Sequence, residues 1–308
     1  MLMKIFEKDI VVPTEAVNLS DFGISNYTLN VRREDLLHPF ISGNKFRKLK
    51  WNLIRAKQQN HETLLTFGGA YSNHITAVAA AGKEFDFKTI GLIRGEELEG
   101  KSLNPTLKFA EDCGMDLKFL SREDYRKKND PDFISGLKKM FGEFYLLPEG
   151  GTNDLAVEGC KEILAEDDNH WDFITLAVGT GGTLAGIVGG SGKNQQVLGF
   201  SALKGTFQKE EVRKYTGKEN YSLIDTYSFG GYGKFSSELV FFINEFKEKT
   251  GIPLDPVYTG KMMFGIFDLM EKNRLPENSS ILAIHTGGLQ GITGANNNLK
   301  IKKLPHIH

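Results

Sequence analysis

Ser42-Gly43-Asn44-Lys45-Phe46-Arg47-Lys48-Leu49 places a candidate nucleophile, Lys45, where a glycine turn runs into a helix. Asn44 is the candidate N-cap and Lys45 takes the first helical position. Phe46, Leu49, Leu53 and Ile54 fall on one face of that helix. The helix macrodipole disfavours a cation at this end. A lysine that gives up its charge by condensing with an aldehyde meets no such objection. Amines used that way need a lowered pKa, which an electropositive, desolvated position supplies. In isolation, Lys45, Lys48 and Lys50 with Arg47 equally make a solvated basic helix face.

Four glycine-bounded segments close apolar runs: Gly68-Gly69-Ala70-Tyr71-Ser72-Asn73-His74, Gly150-Gly151-Thr152-Asn153, Gly179-Thr180-Gly181-Gly182-Thr183 and Thr286-Gly287-Gly288-Leu289-Gln290-Gly291. The third is the most informative. Successive glycines let backbone N–H groups converge, and the positive end of a following helix adds to them, which together bind a phosphate. Thr180 and Thr183 add hydroxyl donors. The segment matches neither the nucleoside-triphosphate nor the dinucleotide pattern. A tight strand-to-helix turn is the plainer account of the same glycines.

Elements alternating along the chain must position these groups. Tyr27 to Glu34 alternates as a strand. Thr63 to Phe67 reads as a buried strand before a helix Asn73–Ala81 that stops at Gly82, and Lys88 to Arg94 as another strand. A helix Asn104–Cys113, a strand Asp116–Leu120, a helix Asp132–Phe141 and a strand Phe144–Leu147 follow. The second half repeats the theme. Asn153–Glu166 reads as a helix, Asp172–Val178 as a strand, and Gly186–Gly190 lies near the start of a small-residue helix. A strand Val197–Leu203, a helix Lys209–Tyr215, an extended Ser222–Phe229, helices Ser236–Lys249 and Lys261–Lys272, and a strand Ser280–His285 complete it. Strands alternating with helices predict an α/β chain whose parallel sheets are covered on both faces. Ligands of such sheets sit at the carboxyl ends of strands, where the glycines are.

The chain has 308 residues, which favours two domains. Its 38 basic and 39 acidic residues nearly cancel, giving no support for a polyanion partner such as nucleic acid. Cys113 and Cys160 make neither a disulfide framework nor a metal-ligand spacing, so no metal is expected, and both read as small buried residues. Charges at Lys4, Glu7, Lys8 and Asp9 interrupt any apolar core of a signal peptide in Met1 to Val12. No apolar run spans a bilayer. A soluble, cytoplasmic protein is expected.

A reactive lysine beside a monophosphate cradle calls for a phosphorylated aldehyde, of which pyridoxal phosphate is the usual one. From His38 to Gly291 the chain resembles the pyridoxal-phosphate enzymes of the tryptophan synthase β-type fold, in the branch of 1-aminocyclopropane-1-carboxylate (ACC) deaminase and D-cysteine desulfhydrase. The carriers are Ser-Gly-Asn-Lys45-Phe-Arg-Lys-Leu, Gly-Gly-Ala-Tyr-Ser72-Asn73-His, Gly-Thr-Gly-Gly-Thr, Tyr258-Thr259-Gly260-Lys261 and His285-Thr-Gly-Gly. The resemblance implies fold type II: two doubly wound domains with parallel sheets, the larger, cofactor-binding one from 1–47 plus 152–308 and the smaller from 48–151. It implies a homodimer acting on a small amino acid.

It also implies roles. Lys45, directly after Gly-Asn, is the Schiff-base lysine, and Lys48 is structural or on the surface. Asn73 hydrogen-bonds the cofactor's phenolic oxygen, and Ser72 is a catalytic serine. Gly179, Thr180, Gly181, Gly182 and Thr183 hold the phosphate. Tyr258 is a catalytic tyrosine and Tyr232, in Gly230-Gly231-Tyr232-Gly233, a second one, although its flanks depart from the family's Tyr-Gly-Ile-Pro-like run. His74 reads as a helix-face polar residue and His285 as support for its loop. Thr259 stands where the deaminases carry a glutamate facing the pyridine nitrogen. A carboxylate there favours the protonated ring, a stronger electron sink, whereas a threonine hydroxyl holds no charge on it. Loss of a good β-leaving group needs less of a sink than opening a cyclopropane. The expected activity is α,β-elimination like that of D-cysteine desulfhydrase, giving pyruvate, ammonia and sulfide. ACC deamination to 2-oxobutanoate is the alternative, and a cofactor-binding protein without catalysis the remote one.

Overall fold

In the computed structural model, which describes residues 11–301 and 303–308, the chain forms two sheets, and the Lys45 helix packs over one of them. Most of the Met1–Val12 stretch falls outside the described residues. The strands are β1 (Thr14–Ala16), β2 (Thr28–Arg32), β3 (Thr63–Gly69), β4 (Lys88–Arg94), β5 (Met115–Leu120), β6 (Tyr145–Leu147), β7 (Phe173–Val178), β8 (Gln196–Ser201), β9 (Tyr221–Ile224) and β10 (Ser280–Ile284). The α-helices are α1 (Asn44–Gln58), α2 (Asn73–Phe85), α3 (Pro105–Asp112), α4 (Arg122–Arg126), α5 (Pro131–Phe141), α6 (Asp154–Lys161), α7 (Gly182–Gly190), α8 (Gln208–Arg213), α9 (Ser237–Thr250), α10 (Thr259–Glu271) and α11 (Gly291–Ile301).

A six-stranded sheet runs β1-β2-β10-β7-β8-β9 and a four-stranded sheet runs β5-β4-β3-β6. All pairings are parallel except the edge pair β1–β2. The central strands carry apolar residues on both faces, as a sheet covered by helices on both sides requires. Leu64, Leu65 and Phe67 of β3 and Ile281, Leu282, Ala283 and Ile284 of β10 are all buried. The fold is α/β with parallel sheets.

Phe46, Leu49, Leu53 and Ala56 of α1 pack with Leu64, Ile75, Val78 and Leu147 over the four-stranded sheet. Its other side meets α6, where a Cβ on Gly159 would lie 2.1 Å from the Arg47 carbonyl oxygen. Gly186 repeats the device one layer on: a Cβ there would lie 2.4 Å from Cys160 Cβ, so α7 sits directly on α6. Small residues thus stack three helices under the carboxyl ends of the strands. A bidentate pair of Arg47 with the fully buried Glu34, both bonds 2.9 Å, fixes the azimuth of α1.

Several local expectations change. Gly43, not Asn44, caps α1, because the Asn44 amide is turned toward the Gly179–Thr183 loop. Helix α2 runs through Gly82 to Phe85, since a Cβ on Gly82 would lie 2.3 Å from Thr89 Cγ2 and the glycine serves helix–strand packing rather than termination. Helix α6 ends early, at Lys161, and a separate helical turn follows at Glu166–His170. Helix α7 begins at Gly182, so Gly186–Gly190 is its end. Helices α4 and α11 carry weak apolar periodicity and are not anticipated. Cys160 is buried, but Cys113 only partly so.

Candidate active site

The carboxyl ends of both sheets face a cleft of about 720 Å³, counted out to its mouth. The turn before α1 holds Lys45 at its floor. Gly43 has φ +60° and ψ −139°, a conformation closed to L side chains, and a Cβ there would lie 2.0 Å from Thr286 O. The Asn44 N–H donates to that same carbonyl at 3.2 Å. The Thr286–Gly288 segment is braced in turn by His285, whose Nδ1 accepts the Gly287 N–H at 3.3 Å while Nε2 donates to Pro253 O at 2.7 Å.

Lys45 is largely desolvated and lines the cleft. Burial, and then the positive charge of Lys48, bring its amine down from 10.5 to about 7. Lys48 is 2% exposed, which excludes the surface position the sequence left open for it. Its ammonium donates to Gly150 O at 3.0 Å and Thr152 Oγ1 at 3.1 Å, both uncharged, and burial lowers its pKa as well. No Asp or Glu among the described residues lines the cleft.

Strand β7 ends at Val178 and delivers Gly179-Thr180-Gly181 to the cleft, with Gly181 at φ +98°. Each threonine is held from outside the loop. Thr180 Oγ1 shares a 2.9 Å hydrogen bond with Thr152, and Thr183 Oγ1 accepts from Asn44 Nδ2 at 2.8 Å. Gly182 is withdrawn from the cleft: a Cβ there would lie 2.6 Å from the Thr152 side chain, so the residue supplies close approach rather than lining. Two desolvated amines, hydroxyls and a helix N-terminus with no carboxylate among them fit an anionic group such as a phosphate.

Ser72 caps α2, its Oγ accepting from His74 N at 3.3 Å and Ile75 N at 3.4 Å, so its own proton is left for a group in the cleft. Asn73 also lines the cleft, its amide close behind Gly288. His74, placed on the helix face by its spacing, turns a buried ring to the cleft with Nε2 2.9 Å from Thr66 Oγ1. Burial and the two lysines hold its pKa well below the ordinary imidazole value.

Tyr258 and Tyr232 both line the cleft and meet edge-on, ring centroids 6.1 Å apart at 67°. The Tyr258 ring lies against Gly179, 3.3 Å from where a Cβ would stand. Burial first, then Tyr232 and Asp255, push the Tyr258 phenol well above its usual pKa.

Thr259 is fully buried behind this wall rather than lining it. Its hydroxyl accepts from Asp255 N at 2.9 Å and donates to Asp255 Oδ1 at 2.8 Å, so its one proton is already engaged. Asp255 also accepts from Val257 N, Tyr258 N and Thr259 N at 2.9–3.0 Å. Sequence reasoning passes over Asp255, and it reads Asn44 as a helix cap and Thr152 as part of a glycine turn, because the partners of those two, Thr183 and Thr180, are distant in the chain.

The Lys45–Lys48 pair has a direct consequence. Lys48→Met removes one of the two causes of the lowered Lys45 pKa, the smaller one, so that pKa is expected to rise partway from about 7 toward 10.5. The pH midpoint for capture of an aldehyde by the cofactor-free protein then moves up, which stopped-flow absorbance measures. An unmoved midpoint would show that burial alone sets the amine.

A family model described as pyridoxal-phosphate dependent enzyme matches residues 8–287. A putative 1-aminocyclopropane-1-carboxylate deaminase of Pyrococcus horikoshii is 32% identical over 281 residues, covering 85% of this chain and 84% of the relative. The mitochondrial bifunctional D-cysteine desulfhydrase/1-aminocyclopropane-1-carboxylate deaminase of Arabidopsis thaliana is 30% identical over 299 residues, covering 88% and 75%. The crystal structure of an ACC deaminase homologue superposes with a TM-score of 0.83 at 26% identity, over 97% of this chain and 98% of that one.

Proposed function

Since the chain belongs to the pyridoxal-phosphate-dependent enzymes, we propose that it catalyses α,β-elimination on a small amino acid, D-cysteine foremost. D-cysteine and water would give pyruvate, ammonia and sulfide. The observation that carries this reading is Lys45, an amine titrating near pH 7 in a carboxylate-free cleft opposite a phosphate-type loop.

Pyridoxal phosphate, when bound, supplies an aldehyde for the substrate amine and a ring that withdraws electrons from Cα. Gly179, Thr180, Gly181 and Thr183, with Lys48 behind them, would hold its phosphate, and Asn73 its phenolic oxygen. Lys45 has a large neutral fraction at neutral pH, so once released it takes the Cα proton. Tyr258 keeps its proton, being raised by burial, and suits donation to the departing sulfur rather than the role of base. Tyr232 adjoins Tyr258 at the cleft, and the Ser72 hydroxyl donates to the substrate carboxylate. An anchored phosphate fixes which Cα bond stands perpendicular to the ring.

Elimination is favoured over ring opening by the absence of a free carboxylate at Thr259. Asp255, the acid beside it, has both oxygens engaged by N–H and O–H donors and is not available to hold charge on a ring nitrogen. The names of the relatives favour ACC deamination as the second reading. The same proposal places the enzyme in the cytoplasm as a homodimer.

Sulfide and pyruvate released from D-cysteine by cofactor-loaded protein are the expected products. Loaded protein that releases none, yet converts ACC to 2-oxobutanoate, would replace elimination by the second reading. Loaded protein inert to both would remove catalysis of either kind.

A further inference from the structure

Lys261 is 1% exposed, and no carboxylate among the described residues lies within ion-pairing distance of its ammonium. Burying an ammonium with no carboxylate in contact is costly in desolvation, offset here only by the longer-range attraction of Asp255, and a methionine would fill the same length without that cost. The cation therefore has a use beyond filling space. Nζ donates to Ser228 O at 2.8 Å and to Gly231 O at 2.9 Å. Those two carbonyls already close successive turns, accepting from Gly231 N at 2.9 Å and Lys234 N at 3.2 Å.

The turns so joined do not hold themselves. Phe229, Gly230, Gly231 and Gly233 have φ of 51°, 93°, 115° and 66°, which leaves Tyr232 in a run of left-handed backbone. Short glycine-rich turns of this kind have many alternatives in solution. Tyr232 is 47% exposed and meets Tyr258 through ring edge and phenol, contacts at the tip of the side chain that leave the glycine turns beneath it to be held from elsewhere. Lys261 sits on α10, three residues beyond Tyr258, so one side chain joins the helix that carries the first tyrosine to the turn that carries the second.

We propose that Lys261 is a positioning residue: its ammonium ties the Ser228–Lys234 turns to α10 and thereby fixes Tyr232 against Tyr258 in the lining of the cleft. This rests on the reading of the two tyrosines as groups that handle substrate protons. Lys261 acts through Tyr232 and touches no reacting atom.

The test uses the cofactor-loaded enzyme and Lys261→Met, alone and combined with Tyr232→Phe. Backbone amide exchange at Gly231 and Lys234 is expected to quicken in Lys261→Met, while α10 and the cofactor absorbance stay as in the parent. Its kcat is expected to fall about ten- to a hundredfold, the scale of a misplaced catalytic group, with little change in KM. In the Tyr232→Phe background the same substitution should then cost almost nothing, because the residue it places is gone. Penalties that multiply would overturn the proposal, as would unchanged exchange in the turns. If Tyr232→Phe itself turns over like the parent, the catalytic reading of Tyr232 fails, and the exchange data still decide whether Lys261 holds the turns. Should Lys261→Met not fold, Lys261→Gln, with a shorter donor, is read in the same way.

Discussion

Lys45→Ala is expected to lower turnover by at least about 10³-fold, the scale of one positioned acid–base group, with loss of the covalent link to the cofactor added to it. The cleft offers no substitute. Lys48 is committed to Gly150 O and Thr152 Oγ1, and burial with the two lysines lowers the His74 pKa so far that its ring is a weak base. Borohydride reduction followed by peptide mass analysis gives a readout free of activity: the parent's Lys45 peptide retains the cofactor mass and the variant's does not. Cofactor found on Lys48 in the parent would sink the assignment.

Stability supplies an independent sign. The Lys45 amine falls from 10.5 unfolded to about 7 folded, so between those values the unfolded chain binds more protons. The contribution of this group to stability therefore rises with pH from about 7 upward and is least below 7. Cofactor-free parent should gain more between pH 7 and 9 than Lys45→Ala in denaturant unfolding. Equal gains would mean that the amine titrates normally.

Gly43→Ala is expected to cost about 3–5 kcal/mol, combining a backbone conformation closed to alanine with overpacking against rigid main chain. The added Cβ would stand 2.0 Å from Thr286 O, 2.3 Å from Thr286 C and 2.6 Å from Gly287 N, none of which can swing aside as a side chain would. Against a typical total of about 5–15 kcal/mol, that is a large share. Denaturant unfolding measures it, and cofactor affinity should drop with it, since the same contact seats Lys45. Gly136→Ala is the control: it lies inside α5 with nothing within 4 Å and an ordinary φ, and it should be neutral or stabilising by up to about 1 kcal/mol. A loss below about 1 kcal/mol at Gly43 would show that the 286–288 segment yields.

Much of the fold was open to reading because its signals are local. Buried strands such as Thr63–Gly69 and Lys88–Arg94 are short apolar runs closed by glycine, and the alternation of strand and helix implies parallel sheets. The ends of elements were less legible. Gly82 marks a stop only when the strand beneath it is unknown; with Thr89 packed 2.3 Å from its missing Cβ, the helix continues.

The sequence by itself determined the α/β alternation, the glycine turns at the strand ends, and the types of the groups at the site: an amine after a glycine turn, two threonines in a glycine loop, a serine before a helix, a tyrosine before another. These follow from residue type and short spacing, which a chain carries whether or not it is folded. Tertiary structure alone decided what state those groups are in. Lys45 is near neutral because folding buries it beside Lys48. Thr183 is fixed by Asn44 from 139 residues away. Lys261, which reads as one more basic residue on a helix, becomes a buried tie between two turns. Desolvation and hydrogen-bond partnership depend on which distant segments arrive together, and no local pattern encodes that.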